Sequence, residues 1–185
     1  MKNNQHLQLV EEDDLTPQQH QAIQTLLVAA YPQFQAIFSA ASYWGARPEY
    51  RLWLETAGGQ LLAHLDFERR VIDVGGVEIL IAGVGEVATH PDMQGQGVGR
   101  FMMQQLQHIL RQEIPVDFGY LHCRPEIVSF YTAVGWHQVW QTVRCINPNT
   151  NQWVDDDDPK MILPAQKSYE QWPARGKINL RGLEW

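Results

Sequence analysis

The sequence predicts a mixed α/β fold in a single domain, and three observations carry that expectation. Its 185 residues are 44% hydrophobic and 19% charged, enough to bury one sizeable core. Stretches that alternate apolar and polar residues are followed by stretches with helical apolar spacing, the order of a chain that mixes strands and helices. No internal repeat and no low-complexity linker interrupts residues 1–185.

The elements follow in order. "HLQLV" alternates as a short strand. Thr16, Pro17 and Gln19 then supply an N-cap, a first-turn proline and the glutamine of a capping box. The helix they start carries Ile23, Leu26, Leu27 and Ala30 on one face, and Pro32 stops it just after Tyr31. "YRLWLETAGGQLLAHLDFERRVIDVGGVEILIAGVGEVAT" reads as three strands turning at Gly58-Gly59 and Gly75-Gly76, an antiparallel meander. Its third strand, from Glu78 to Thr89, is apolar on both faces, as a strand buried on two sides must be. The helix that comes next aligns Val98, Met102, Leu106, Ile109 and Leu110.

Composition excludes several function classes. A formal charge of −7 opposes phosphate-tracking nucleic-acid binding, which needs clustered Lys and Arg, and suits a cationic partner. Cys123 and Cys145 are isolated thiols with no CxxC pairing, so neither a disulfide framework nor a zinc site is expected. "MKNNQHLQLV" has no signal-peptide core, and no window approaches the roughly 18 apolar residues of a membrane span. The expectation is a cytoplasmic protein without membrane association, with a homodimer left open.

The richest stretch is "THPDMQGQGVGRFMM", where Gly95, Gly97 and Gly99 precede the mouth of a helix. Unpaired backbone N–H groups and the positive end of the helix dipole converge there, making an anion site without a charged side chain. Glycine at alternate positions lets a bulky phosphate approach the backbone, although a tight turn also uses glycine. The spacing is not GxGxxG, and no GK[ST] follows for a nucleoside triphosphate with magnesium.

"QGQGVG", Gln94 to Gly99, preceded by "VATHPD", resembles the acetyl-CoA pyrophosphate loop of the GNAT acetyltransferase superfamily. Downstream, "DFGYLHC" resembles that family's next strand, and "RPEIVSFYTAVGW" its following helix with Tyr131 and the pair Gly135-Trp136. The resemblance implies a single GNAT-type domain: a mixed, mostly antiparallel sheet flanked by helices and split open between two central parallel strands. It assigns residues 60–145 to the acetyl-CoA core and residues 31–55 and 146–185 to the acceptor side. It implies acetyl-CoA as acyl-donor co-substrate, held by Val87, Ala88, Thr89, Gln94, Gly95, Gln96, Gly97, Val98, Gly99 and Arg100. Two narrower branches resemble the flanks. "GARPEYR", "LLAHLDFERRVIDVGGVEI" and "QWPARGKINL" are similar to nodulation protein A, which transfers a fatty acyl chain to an amino sugar. The segment from Asp155 through "DDPKMILP" and the final Trp185 are similar to the aminoglycoside 2'-N-acetyltransferases. These resemblances imply N-acyl transfer to a small cationic amine, an amino sugar or aminoglycoside. A longer acyl donor, or a non-catalytic coenzyme A-binding module, are the alternatives.

Acyl transfer sets three tasks: a neutral amine must attack the thioester, an oxyanion must be held, and the departing thiolate must be protonated. Tyr131 suits the last, because a phenol stays protonated at neutral pH; otherwise it is a core tyrosine with Ile127 and Val134. Glu86 is a charge in an apolar run, a costly placement unless it accepts the amine's proton; otherwise it is an edge-facing solvated residue or pairs with a nearby Arg. The backbone N–H of Val87 or a neighbour is the expected oxyanion donor, with Gly83 and Gly85 easing a bulge and Gly85 facing the substrate. Asp155, Asp156, Asp157 and Asp158 read as a solvated loop or as an attractor of ammonium groups, joined by the Trp185 carboxylate. Their contiguous run lacks the alternating ligand spacing of a calcium loop, so no metal is expected. His90 and His122 read as strand-end or surface residues. Tyr43, Trp44, Trp53, Trp136, Trp140 and Trp153 are candidates for an acceptor pocket or for the core.

Overall fold

A computed structural model describes residues 5–185. Its strands and helices are β1 (Gln5–Glu11), α1 (Pro17–Ala30), α2 (Gln35–Phe38), β2 (Tyr50–Thr56), β3 (Leu61–Val74), β4 (Val77–Thr89), α3 (Val98–Gln112), β5 (Phe118–His122), α4 (Val128–Ala133), β6 (His137–Val139), β7 (Val143–Asn147), β8 (Gln152–Asp156), β9 (Lys160–Pro164) and β10 (Ile178–Leu183). This is the expected mixed α/β class, with a mostly antiparallel sheet and flanking helices. The chain forms two compact units: one holds the residues up to Glu68, Gly85–Met103 and Trp185, and the other Arg69–Val84 and Gln104–Glu184.

The first unit is built on the meander. β1 pairs antiparallel with β2 from Gln5↔Thr56 to Glu11↔Tyr50, and β2 pairs antiparallel with the first half of β3. The capping box forms as the sequence predicts. Thr16 Oγ1 accepts the Gln19 N–H at 3.3 Å, and Gln19 Oε1 accepts the Thr16 N–H at 2.8 Å. Both bonds satisfy donors that a helix start would otherwise leave open. α1 then lays Ile23, Leu26 and Leu27 against Phe38, Trp53, Leu61 and Ala88. Each large side chain so buried contributes roughly 1.5–3 kcal/mol, and truncating Leu27, which is fully buried, would cost about 2–5 kcal/mol.

The second unit carries both parallel pairings. The first half of β4 runs parallel to β5 through Ile81↔Phe118, Ala82↔Gly119 and Gly83↔Tyr120. That ladder ends at Gly83, while β4 continues to Thr89. β9 lies antiparallel between β5 and β6. The second half of β3 pairs with β10, β10 runs parallel to β7, and β7 pairs antiparallel with β8. Along α3 the aligned side chains are all buried, from Val98 in the first unit to Leu110 in the second. Asp155 and Asp156 belong to strand β8 and not to a loop, because their neighbours Val154 and Trp153 register against Cys145 and Ile146.

Candidate functional site

Glu86 sits on β4 just past the last residue paired with β5. It adopts φ 45°, the left-handed region that a non-glycine residue enters only when its surroundings compel it. The bulge expected of Gly83 and Gly85 therefore turns at Glu86 itself. Gly85 has a different duty: a Cβ there would stand 2.9 Å from Asp66 Oδ1 and 3.7 Å from Trp185. Gly85 is required for that close approach, and the side of its Cα where a Cβ would point is filled by protein.

Two bonds hold Glu86. The Trp44 N–H donates to its Oε1 at 2.7 Å, and His64 Nδ1 donates to its carbonyl at 3.1 Å. Burial pushes the carboxyl up to about 7, against the pull of the Trp44 N–H and the Arg51 charge. A group at that value exchanges a proton near neutral pH, the range useful to a general base. His64 is fully buried and held neutral, its ring pushed down to about 3 by burial and by Arg51. Its Nδ1 carries the proton because a carbonyl can only accept, which leaves Nε2 without a partner.

Beside the Glu86 carboxylate lies a cavity of about 110 Å³, lined otherwise by Tyr31, Phe34, Ile37, Phe38 and Trp44. Tyr31 closes one wall by donating its hydroxyl to the Val87 carbonyl and packing against Phe38 at 5.8 Å between ring centroids. Of the six aromatic residues that were candidates for an acceptor pocket or for the core, Trp44 lines this cavity. Trp53 and Trp136 are core residues. Tyr43 lies under the Arg51 guanidinium, Trp140 is exposed, and Trp153 packs under Arg144.

Behind the cavity is a buried ionic group that the sequence reading missed. Arg51 is fully buried and donates to Glu12 Oε2 at 2.6 Å, Asp66 Oδ2 at 2.7 Å and the Ser42 carbonyl at 2.8 Å. Ser42 Oγ accepts a further Arg51 bond at 3.2 Å and meets His20 Nδ1 at 3.0 Å. Burial, opposed by Arg51, raises the Asp66 carboxyl well above the usual range. Arg51 serves both carboxylates, and Glu12 has a second, exposed cation in Arg47 at 3.9 Å. The available signal was Arg51 in "YRLWLE": a charge beside a run of apolar strand residues must find a partner.

The glycine-rich loop lies where the sequence places it, between β4 and α3. Gly95 and Gly97 have φ 71° and 81°, values that glycine adopts freely and other residues resist. Gln94 and Gln96 turn their side-chain amides back on the loop, donating to the Thr89 and Asp92 carbonyls at 3.3 and 2.6 Å. His90 Nδ1 similarly accepts the Asp92 N–H, so His90 shapes the loop. The first helical bond of α3 runs from the Phe101 N–H to the Gly97 carbonyl at 3.0 Å, so the turn before it is the anion-favouring helix start. A Cβ at Gly95 or at Gly97 would point into open space, and a cleft of about 460 Å³ runs beside the loop along Leu54, Met93, Gln96, Gly97, Val98 and Phe101. Ala88 points into the core, leaving only its backbone for a ligand. Gly99 and Arg100 lie in the first turn of α3, with Arg100 exposed.

The full length of the sequence from residue 3 to residue 185 matches the family model for nodulation protein A. The chain belongs to the nodulation protein A family. It is 31% identical over 153 residues to nodulation protein A of Bradyrhizobium elkanii, covering 77% of this chain and 71% of that one. It is 27% identical over 188 aligned positions to nodulation protein A of Rhizobium sp. (strain N33), covering 94% of each. Among solved structures it is similar to the Escherichia coli GNAT family N-acetyltransferase YhbS in complex with CoA, with a TM-score of 0.61 and 15% identity over 96% of this chain and 89% of that one. Escherichia coli ElaA superposes with a TM-score of 0.60 and 16% identity over 86% of this chain and 99% of that one. The fold is thus that of the GNAT N-acyltransferases, and this member of the nodulation protein A family is an acyltransferase. None of its helices among the described residues is long and apolar enough to cross a membrane.

Within this family member the remaining expected residues fall in two places. Trp185 belongs with Gly85 and Asp66 in the first unit. Tyr131 is buried on α4 in the second, edge-on to Trp136 at 5.6 Å and to Phe130 at 5.2 Å. The four aspartates do not act together. Asp155 pairs with Lys177 at 2.6 Å, Asp157 and Asp158 are exposed, and Asp156 turns to His122. His122 is more than a surface residue. Its Nδ1 lies 2.6 Å from Glu184 Oε1 and 3.3 Å from Asp156 Oδ2, and its Nε2 accepts the buried Tyr120 hydroxyl at 2.7 Å. The ligand atoms of His122, Asp156 and Glu184 all lie within 4.8 Å of one another. The Lys160 ammonium lies 3.5 Å from Asp156 Oδ2 as a further partner of that group. Burial pushes the thiols of Cys123 and Cys145 up to about 11, which keeps both protonated and unreactive.

Proposed function

We propose that the chain transfers an acyl group from acyl-coenzyme A to the amine of a small molecule by direct attack, with Glu86 as general base. The observation that carries this reading is the Glu86 carboxyl, pushed to about 7 and held on a left-handed bulge at the mouth of a cavity. The pyrophosphate of coenzyme A lies against the backbone of Gln94–Gly99 at the start of α3, where N–H groups and the helix dipole favour an anion. An incoming ammonium gives its proton to Glu86. The neutral nitrogen attacks the thioester carbonyl, the Val87 N–H steadies the oxyanion, and the thiolate leaves as the carbon–sulfur bond breaks. Tyr131 supplies the thiolate's proton, its phenol matching a departing thiol in basicity, and the proton that the attacking nitrogen loses as the amide forms restores the phenol through solvent.

A second reading, a donor with an acyl chain longer than acetyl, is favoured by membership in the nodulation protein A family. A thiol-release assay separates the two. Acetyl-CoA and longer acyl-CoAs are offered against amino sugars, polyamines, amino acids, peptides and simple alkylamines. Release that depends on both donor and amine supports the proposal. Tight coenzyme A binding with no release for any pair would leave a binding module.

A further inference from the structure

We infer that His64 and Tyr31 are positioning residues for the oxyanion: each bonds one of the two peptide groups that flank Val87, and together they fix the direction of its N–H. This rests on the acyl-transfer reading, in which that N–H steadies the thioester oxygen, and names what holds it in place. The Glu86 carbonyl and the Val87 N–H belong to one planar trans peptide, so they point in opposite directions. A bond that fixes the carbonyl therefore aims the N–H. His64 Nδ1 donates to that carbonyl at 3.1 Å. The Tyr31 hydroxyl donates to the carbonyl of the following peptide, that of Val87. With both peptide planes held, neither dihedral at Val87 is free to turn.

The placement of His64 makes little sense as core packing. It belongs to β3 and is fully buried, yet its Nε2 finds no partner among the described residues. A buried nitrogen left unpaired is unfavourable, and an apolar side chain there would suit the core better. What the ring supplies is one dependable bond. Burial and the Arg51 charge hold it neutral, so Nδ1–H remains the donor at every pH where the enzyme would work. Glu86 needs that support. Its φ of 45° is a conformation that a non-glycine residue leaves unless its surroundings restrain it, and any turn of its backbone would swing the Val87 N–H with it. Tyr31 adds an anchor from the end of α1, 56 residues away in the chain.

The test is kinetic and spectroscopic. A catalytic group misplaced by about 1 Å loses about a hundredfold in rate, so His64→Leu should lower kcat by about that factor and Tyr31→Phe by about tenfold, with KM for the acyl donor and coenzyme A affinity nearly unchanged. His64→Asn, whose amide puts an N–H near the place of Nδ1, should recover most of the loss. His64→Gln, whose amide lies near the place of Nε2, should not. A reading without turnover comes from the amide analogue of acetyl-coenzyme A, with NH in place of the sulfur. Infrared difference spectra of its isotope-labelled carbonyl should show the band lowered on binding to wild type, less lowered in His64→Leu, His64→Gln and Tyr31→Phe, and restored in His64→Asn. Bands in that order from a protein that acylates no amine would keep the positioning role and sink acyl transfer. Wild-type kcat and an unaltered band in Tyr31→Phe and His64→Gln, from a protein that does transfer acyl groups, would overturn the inference and leave acyl transfer standing. A band that binding to wild type does not lower would put the oxyanion donor elsewhere and overturn it too. If His64→Leu does not fold, the Asn and Gln variants and Tyr31→Phe decide by the same readings.

Discussion

The Trp44 N–H donates to Glu86 Oε1 at 2.7 Å across 42 residues of chain. That bond ties the segment after α2 to the bulge of β4. It also steadies the ionised form of a carboxylate that burial would otherwise keep protonated. Glu86 consequently sits near the midpoint of its titration at neutral pH, able to take a proton and give it up.

If Glu86 is the base, kcat/KM should rise tenfold per pH unit below about 7 and level above it. Glu86→Gln should lower the plateau by a hundredfold or more and abolish that limb, with coenzyme A affinity kept. A variant that retains the wild-type pH profile in stopped thiol-release assays would assign the proton to another group.

The same carboxyl affects stability with a definite sign. Its folded value, about 7, lies above its ordinary value of 4.5, so the native state binds more protons than the unfolded chain between them. Its stabilising contribution is full below about pH 4.5 and is lost as pH rises through 7. His64, pushed down to about 3, contributes the opposite slope from pH 6.5 downward. Urea melts of wild type and Glu86→Gln isolate the first effect, and the variant should lose less stability than wild type between pH 4.5 and 7.

Gly97→Asp should abolish coenzyme A binding while the protein stays folded. The new residue would have to hold φ 81°, and its carboxylate would repel the pyrophosphate from the start of α3. Calorimetry that finds wild-type affinity in a folded variant would move the donor site elsewhere.

Tyr131→Phe keeps the ring against Trp136 and Phe130 and removes only the hydroxyl. Turnover should fall about a hundredfold, with donor binding nearly unchanged. Turnover equal to wild type across pH 6 to 9 would return Tyr131 to a packing role.

Arg51→Met should destabilise by about 3–5 kcal/mol, since it leaves Glu12 and Asp66 buried without their cation. In a chain of this length that lowers Tm by roughly 10 °C. Adding Glu12→Gln and Asp66→Asn should recover much of the loss, because neutral partners no longer need the charge. A triple variant as unstable as Arg51→Met alone would show that packing, and not charge, is what Arg51 supplies.

Local chemistry made much of this protein legible in its sequence. Thr16, Pro17 and Gln19 start α1 through bonds between near neighbours, Gly75 and Gly76 turn β3 into β4, and Gly95 and Gly97 take the backbone angles that glycine permits. The aligned apolar face of α3 follows from helical period alone. Family and fold were readable because those short patterns come in a particular order. The site's chemistry depended on distance that sequence does not encode. Whether Glu86 is solvated or buried, which backbone group meets it, and that Arg51 stands between Glu12 and Asp66 are set by residues dozens of positions apart. The carboxyl value near 7 and the apolar wall of Tyr31, Phe34, Ile37 and Phe38 arise only when α1, α2 and β4 pack together. Burial and long-range hydrogen bonds are properties of that packing, and so the tertiary structure decided them.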